Sequence, residues 1–520
     1  LERARTVLAS DLVYRRETSQ GHAHALGQNL SLTDSLALDR RYHEALDGLD
    51  ATTIRRLCAQ WLRPGSAALS VVVPAVGKRR TTALRKALSA RLRSRGRKSS
   101  WVDVHRDRHG VPAATLPGGM RILLDPDARV PMAAGWIVWR GGLRREDARR
   151  QGASAMMARL LTRGCAAIDG DALAREIEGD AAALDGFSTR STTGLHFECM
   201  AASVPGVLQR AVQCALAPRF GTAELDEQRR VAEQEFLAAQ DDPAKIAFRL
   251  ALARLYRGHP FRWRRSGTPQ SLARLTSAGL RRTWAQWYPL DRAVLAIRGD
   301  VDVEGLLGTL QQLLEDAPRA GGAELPWPGG PPRHPKRPVE LREHRQREQS
   351  HLVMLVPGPS FTDRRAPTLD VLLAILGGQA GRLFLALREA EGLVYQVSAT
   401  STEGVDAGDV AFHAAATPAR MARARTVLEQ ELSRICTERV GEEELDRAKA
   451  LLLGQHAMGM ERHGRVASQL AFNEAFGLHR HDHLRYRQRV ERVAAPSVRT
   501  LARRLLDPQR RIVAIVGPSS

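Results

Sequence analysis

The chain has 520 residues, too long for one hydrophobic core and suited to three or four domains of about 150 residues each. Its 43% hydrophobic content supports packed globular domains, no apolar run approaches the roughly 20 residues of a membrane span, and five cysteines without a CxxC pair argue against a disulfide framework or a cysteine-type zinc site, leaving buried free thiols. The net charge of +21 comes mainly from arginine scattered among acids. Its one dense run, Lys78 to Lys98, lacks the interleaved aromatics that stack single-stranded nucleic acid, so it reads as a solvated linker and nucleic acid is not the expected partner.

In chain order, residues 1–75 give helices and then, after Pro64, the apolar strand Ser70-Val71-Val72-Val73. The basic linker spans 76–101. The next domain, 102–316, opens with the turn Pro117-Gly118-Gly119 and the strand Met120 to Leu124. A second strand, Ala134 to Trp139, is closed by Gly141-Gly142, and a helix from about Asp147 to Thr162 is stopped by Gly164. The Pro/Gly linker 317–337, around Pro326-Trp327-Pro328-Gly329-Gly330, cannot build an element interior. In the last domain, 338–520, His351 to Val356 is a strand and Thr368 to Leu376 a helix. Gly381 to Glu391 is a further helix and Val394 to Ser398 a strand. Strands and helices without regular β-α-β alternation predict an α+β fold, with helices covering a mainly antiparallel sheet.

One stretch occurs three times. Leu1-Glu2-Arg3, Leu225-Asp226-Glu227 and Leu445-Asp446-Arg447 each precede a proline (Pro64, Pro289, Pro508) by 63, 64 and 63 residues. An apolar strand follows each proline. The copies start 224 and 220 residues apart, a spacing of duplicated domains rather than of solenoid repeats. The first copy is only a domain's tail, so the chain is expected to begin in mid-protein.

Three segments carry a family resemblance. Leu116 to Leu124 resembles the opening strand, and Gly152 to Gly164 the first helix, of M16 (insulinase/pitrilysin-like) peptidase domains. Gly381-Arg382-Leu383-Phe384 through Leu393-Val394-Tyr395 resembles the family's other hallmark. The resemblance implies tandem homologous α+β domains, and a parent zinc-dependent metalloendopeptidase whose two halves close around a peptide. On that reading 1–75 is the end of a preceding domain, 102–316 a degenerate domain, and 338–520 the C-terminal domain.

The family's chemistry needs H-x-x-E-H on a helix: two His at i and i+4 bind zinc, and the Glu between them is the general base. A further Glu downstream completes the ligand set. No H-x-x-E-H occurs here. The resemblance places Ala155, Ala158 and Arg159 at its positions, and Glu235 at the third-ligand position. Alanine neither ligates zinc nor accepts a proton, and arginine is a fixed cation. Zinc is therefore expected in a missing or partner half, this chain is expected to be inactive alone, and Glu235 is expected to be a solvated or paired helix residue. His479, His481 and His483 alternate in a loop context. His22 and His24, on a predicted helix, face different directions, and His456 and His463 lie seven apart on the corresponding helix of the third copy. None of these sets completes a metal site.

Arg388 and Tyr395 match the Arg/Tyr pair by which the family's non-zinc half holds substrate. Gly392 ends the helix between them, so both can serve one cavity, the Tyr donating to a scissile carbonyl and the Arg to a peptide carbonyl. Gly186 to Arg190 aligns with the family's substrate-pairing strand, and in a degenerate domain it reads as structural. The expected partners are a peptide and an N-terminal zinc-bearing half, fused or separate. The rival reading is a catalytically dead structural or assembly subunit.

Overall fold

A computed structural model describes residues 1–61, 103–106, 111–115, 119–314, 327–328, 332 and 334–518. The strand expected after Pro64, the basic run and most of the Pro/Gly linker lie outside the described residues. The chain forms two compact units, Leu1–Ser100 and Trp101–Ser520. The first contains helices α1 (Glu2–Arg15), α2 (Ser19–Thr33), α3 (Leu38–Asp47) and α4 (Ala51–Trp61). Thr18 caps α2, its hydroxyl accepting from the N–H of Gly21 at 3.1 Å.

The second unit contains two lobes. The first lobe runs β1 (Asp103–Arg106), β2 (Pro112–Thr115), β3 (Arg121–Pro126), β4 (Met132–Arg140), α5 (Ala153–Leu161), β5 (Gly164–Cys165), β6 (Ile168–Asp169), α6 (Gly170–Gly179), β7 (Ala183–Ser188), β8 (Thr192–Met200), α7 (Val204–Leu216), α8 (Thr222–Gln240), α9 (Pro243–Leu255), α10 (Pro269–Leu272), α11 (Ser277–Trp287), β9 (Val294–Gly299) and α12 (Val303–Leu314). The second lobe runs β10 (Val339–His344), β11 (Ser350–Gly358), α13 (Ala366–Leu376), α14 (Arg382–Phe384), β12 (Gln396–Thr402), β13 (Gly408–Ala416), α15 (Pro418–Thr437), α16 (Glu442–Gly459), α17 (His463–Ala475), α18 (Tyr486–Glu491), α19 (Ala495–Leu505) and β14 (Ile512–Gly517). The sheets are ordered β1-β2-β3-β9-β4-β8-β7 and β10-β14-β11-β13-β12. Each has one parallel pair, β3 with β9 and β10 with β14, and is otherwise antiparallel.

Both faces of each sheet's central strands are buried, which explains why those strands read as unbroken apolar runs. In β9, Leu295 and Ile297 face the core under α5, α7 and α12, while Val294 and Ala296 face the opposite way. That second face is covered by α17, a helix of the other lobe, through Val466, Leu470 and Ala471. Reciprocally, α9 of the first lobe lies on β11 and β14, with Ile246, Ala247 and Ala251 against Val353, Leu355, Ile512 and Ala514. The lobes thus exchange helices, and this binds them into one unit. The exchanged helices fall on the sequence repeat: α9 and α17 begin at Pro243 and His463, and α2 of the first unit begins at the matching position Ser19, spaced 224 and 220 residues like the copies themselves.

Three expectations shift. The helix expected from Asp147 begins only at Ala153, because Gly152 takes a left-handed φ of 87° and the preceding residues turn. His456 and His463 sit on different helices, α16 and α17, since the chain breaks between Gly459 and His463. Of the five thiols, Cys165, Cys199 and Cys214 are buried, Cys436 is half-buried and Cys58 is exposed.

Candidate functional site

Helix α5 buries Ala153, Met156, Met157, Leu160 and Leu161 in the first lobe's core. Ala155 and Arg159, four residues apart, are left on its half-exposed face, and Ala158 is buried. Edge strand β7 runs directly beside this helix. A Cβ on Gly186 would stand 1.9 Å from the carbonyl oxygen of Ala158, so only glycine permits the approach. Glu235, on α8, receives the guanidinium of Arg159, Nη2 to Oε2 2.5 Å. The positions that the motif would occupy therefore come together in space, with Arg159 bonded to the one carboxylate a metal would use. Zinc does not fit this set: its only ligand-type side chain is engaged, and the i and i+4 positions carry a methyl group and a fixed cation.

The helix starts where it does because of a buried acid. Glu146 is fully buried, and its carboxyl group accepts from the N–H groups of Gly152 at 2.7 Å and Ser154 at 2.8 Å, capping α5 from outside. Burial pushes its pKa up to about 8 against those two donors. The Ser154 hydroxyl joins Gly142 O at 3.0 Å and the Tyr288 hydroxyl at 3.1 Å, fixing the turn between β4 and α5.

In the second lobe, the segment Leu385–Ala390 winds as a π-helical turn after α14, a geometry frequent at functional sites. Gly392, with φ 59°, ends it. Arg388 lies in that turn, its guanidinium 5.2 Å above the Phe384 ring and donating to Tyr395 O at 3.3 Å. Tyr395 immediately precedes edge strand β12, its N–H donating to Ala415 O at 2.8 Å, and its side chain is exposed, at 56%. Arg388 and Tyr395 are thus brought together, and Arg388 has no acidic partner among the described residues. Among the same residues, no hydrogen bond joins this pair to Arg159 or Glu235.

The two edge strands approach each other through their turns. Arg190, in the β7–β8 turn, pairs with buried Asp409 at the start of β13, and Tyr256 OH donates to the same Asp409 oxygen at 2.8 Å. Arg144 pairs with Asp406, which His259 Nε2 also contacts at 3.1 Å, and Val405 N donates to Ser191 Oγ at 3.0 Å. Burial opposes ionisation of Asp406, but His259 and Arg144 hold it below the usual carboxylate range. Sequence reasoning missed this junction, whose partners lie more than 140 residues apart.

The remaining histidines build no metal centre, and no group of three or more His, Cys, Asp or Glu that could hold an ion occurs among the described residues. His479 and His483 are four apart with Asp482 between them. Asp482 accepts from Arg489 at 2.6 Å, and only His483 lies in the 3-10 turn 482–485, so His479 and His483 do not share a helix. Burial lowers the His483 pKa to about 4.

Comparison with known proteins finds matches across residues 121–452. The model of the insulinase family (peptidase family M16) matches residues 121–268, and that of the peptidase M16 inactive domain matches 274–452. An uncharacterised zinc protease of Mycobacterium tuberculosis is 28% identical over 409 residues, 78% of this chain and 92% of the relative. Mouse mitochondrial cytochrome b-c1 complex subunit 1 is 24% identical over 270 residues, 50% of this chain and 54% of the relative. Among solved structures, a peptidase M16 inactive domain from Pseudomonas fluorescens superposes with a TM-score of 0.73 at 19% identity, over 79% of this chain and 98% of that one.

Proposed function

Because the chain belongs to the M16, insulinase-like peptidase family, we propose that it is the substrate-enclosing, non-zinc half of an M16-type zinc metalloendopeptidase. The observation that carries this reading is the Arg159–Glu235 pair. A cation from the chain takes the place of the metal's charge, and the helix, the acid helix and the edge strand of a zinc lobe persist around it.

In this reading the zinc and the general base come from a partner half, and this chain supplies Arg388 and Tyr395. The Tyr395 hydroxyl donates to the scissile carbonyl oxygen, where negative charge grows in the transition state. The Arg388 guanidinium, steadied by Phe384 and Tyr395 O, donates to a peptide carbonyl. The pure chain should hold no stoichiometric zinc and cleave no peptide; chelator-sensitive cleavage by it alone would overturn the reading. Reconstituted with a zinc-bearing half, the Arg388→Ala/Tyr395→Ala double variant should lose on the order of 10²–10³-fold in kcat/KM.

A second reading, a catalytically dead structural subunit, draws on the resemblance to cytochrome b-c1 complex subunit 1. It predicts that the same double variant leaves turnover unchanged.

A further inference from the structure

Away from the sites described above, the first lobe buries two thiols against each other. Cys165 ends the short strand β5, and Cys214 stands in the last turn of α7. Strand β5 lies along the chain that leaves α7. Ala166 N donates to Ala217 O at 2.9 Å, Arg219 N donates to Gly164 O at 3.2 Å, and Cys165 is bridged to Pro218. That register brings Cys165 to the last turn of α7, where the Cys214 thiol donates to its sulfur. Both side chains sit in the lobe's core, Cys165 at 2% and Cys214 at 0% exposure. Two thiols in hydrogen-bond contact lie within reach of a disulfide.

The two sulfurs are not equivalent. Cys165 Sγ also accepts from the N–H groups of Ala167 and Ile168 in the β5–β6 turn, and the Arg210 guanidinium lies near. The Cys214 S–H holds the Cys165 thiol below the usual thiol range against burial, helped by those two donors and Arg210. Cys214 is driven the opposite way, because its proton is the one donated and because it is buried. Cys199 is pushed up to about 12, by burial first. The same lobe therefore holds a nucleophilic thiol with a second thiol in contact, and an inert one elsewhere. The cover over the pair is thin. Cys165 is followed directly by the exposed Ala166 and Ala167, and β5 pairs with β6 only through Gly164–Asp169 and Cys165–Ile168. A ladder this short opens locally at small cost.

We infer that Cys165 and Cys214 form a reversible disulfide, a modification site that staples the β5–β6 hairpin to the end of α7. The inference does not depend on the reading of a zinc-bearing half. Its oxidant is a small peroxide. The Cys165 thiolate attacks one peroxide oxygen; an S–O bond forms as the O–O bond breaks, and hydroxide leaves to take up the proton that Cys165 lost. The Cys214 sulfur then attacks the sulfenic sulfur; the S–S bond forms as the S–O bond breaks, and the Cys214 proton departs with the hydroxyl as water. Two thiols lose two electrons, and one hydrogen peroxide becomes two waters. Because α5 ends at Leu161, just before β5, the bond also tethers the end of the helix that carries Arg159.

The test treats the full chain carrying Cys58→Ser, which removes the exposed thiol, with hydrogen peroxide near neutral pH. Mass spectrometry without reductant should show a loss of about 2 Da, a Cys165–Cys214 cross-linked peptide pair, reduced Cys199 and Cys436, and reversal by dithiothreitol. The bond closes a loop of about 50 residues and should raise the Tm by about 5 °C. Cys214→Ser should leave Cys165 as a sulfenic acid that dimedone traps. Cys165→Ser should slow oxidation of Cys214 at least 10-fold. Free thiols at both positions after treatment would overturn the inference. So would Cys165 reaching the sulfinic acid while Cys214 stays reduced, or a bond that forms only in the urea-unfolded chain. Oxidation of Cys214 at an unchanged rate in Cys165→Ser would overturn it too.

Discussion

The two lobes share a plan and differ in the segment that comes after their long central strand. In both, a sheet is buried on one face by its own helices and on the other by a helix from its neighbour. In the first lobe β4 leads through a capped turn to α5, whose half-exposed face carries Ala155 and Arg159 beside Glu235. In the second, β11 leads to α13, which buries Leu369, Val371, Leu372, Ile375 and Leu376, and the polar equipment comes later, on the π-helical turn with Arg388. One framework therefore carries two unlike sites, so the fold alone does not assign the chemistry; the side chains at a few positions do.

The contrast is sharpened most by introducing metal ligands into the first lobe. Ala155→His/Arg159→His would set two imidazoles at i and i+4 beside a freed Glu235, a three-ligand set. The expected outcome is one zinc per chain with micromolar or tighter affinity, about 8 kcal/mol of binding, measured by metal analysis after dialysis. Peptidase activity should remain absent, because Ala158 supplies no base. Adding Glu235→Ala should abolish the metal. Zinc retention without Glu235 would mean that the three positions do not converge as described.

Next in size is the junction that holds the two lobes in register. Asp409→Ala removes a buried carboxylate that satisfies both Arg190 and Tyr256. Stranding a buried guanidinium and a phenol should destabilise the second unit by about 3–5 kcal/mol, read as a lower urea midpoint. A change below about 1 kcal/mol would show that the turns are held together by other contacts.

These two cases also mark what is legible in the sequence. The resemblance places Arg159 and Glu235 on one motif, but their pairing with each other is seen only in the fold. The strands Met120 to Leu124 and His351 to Val356, and the helix at Thr368, are legible to within a few residues because apolar runs bounded by Gly and Pro are local signals. The exchange of α9 and α17 is not: each shows an ordinary apolar stripe, and nothing local says which lobe's sheet it will cover. Arg190 and Asp409 are 219 residues apart, joined only by the tertiary fold. The start of α5 escapes a local reading because Glu146, which caps it, lies outside the helix and six residues before Gly152.

Two buried groups, one in each lobe, should also respond to pH with opposite signs. His413 in β13 is buried beside His351, Nε2 to Nδ1 3.1 Å, and its pKa falls to about 4, through burial first and His351 second, with Asp242 opposing. A histidine held neutral in the fold contributes stability above its unfolded pKa near 6.5, lost as pH falls through 4, on the order of 2–3 kcal/mol. Glu146 in the first lobe is raised to about 8, so its contribution is complete below about 4.5 and is lost as pH rises through 8. Urea midpoints measured from pH 4 to 9 should therefore fall at both ends. His413→Gln should flatten the acid limb alone, and Glu146→Gln the alkaline limb alone. A Glu146→Gln curve that keeps its full alkaline slope would place the titrating group elsewhere.

The smallest effect belongs to the Arg159–Glu235 pair. Arg159 and Glu235 keep side-chain accessibilities of 29% and 49%, so water screens their attraction and neither charge is stranded when the other is removed. Arg159→Met keeps the apolar stem against α5 and deletes the charge. Its cost should stay within about 0.5 kcal/mol, a shift in Tm of roughly 1 °C for a chain of this size. Such a small cost fits a lobe held by its apolar core and by α17 rather than by this pair. A loss of several kcal/mol would instead make the ion pair a structural replacement for the metal. The first lobe would then depend on an ion pair at the surface of α5 in a way that its apolar core alone does not explain.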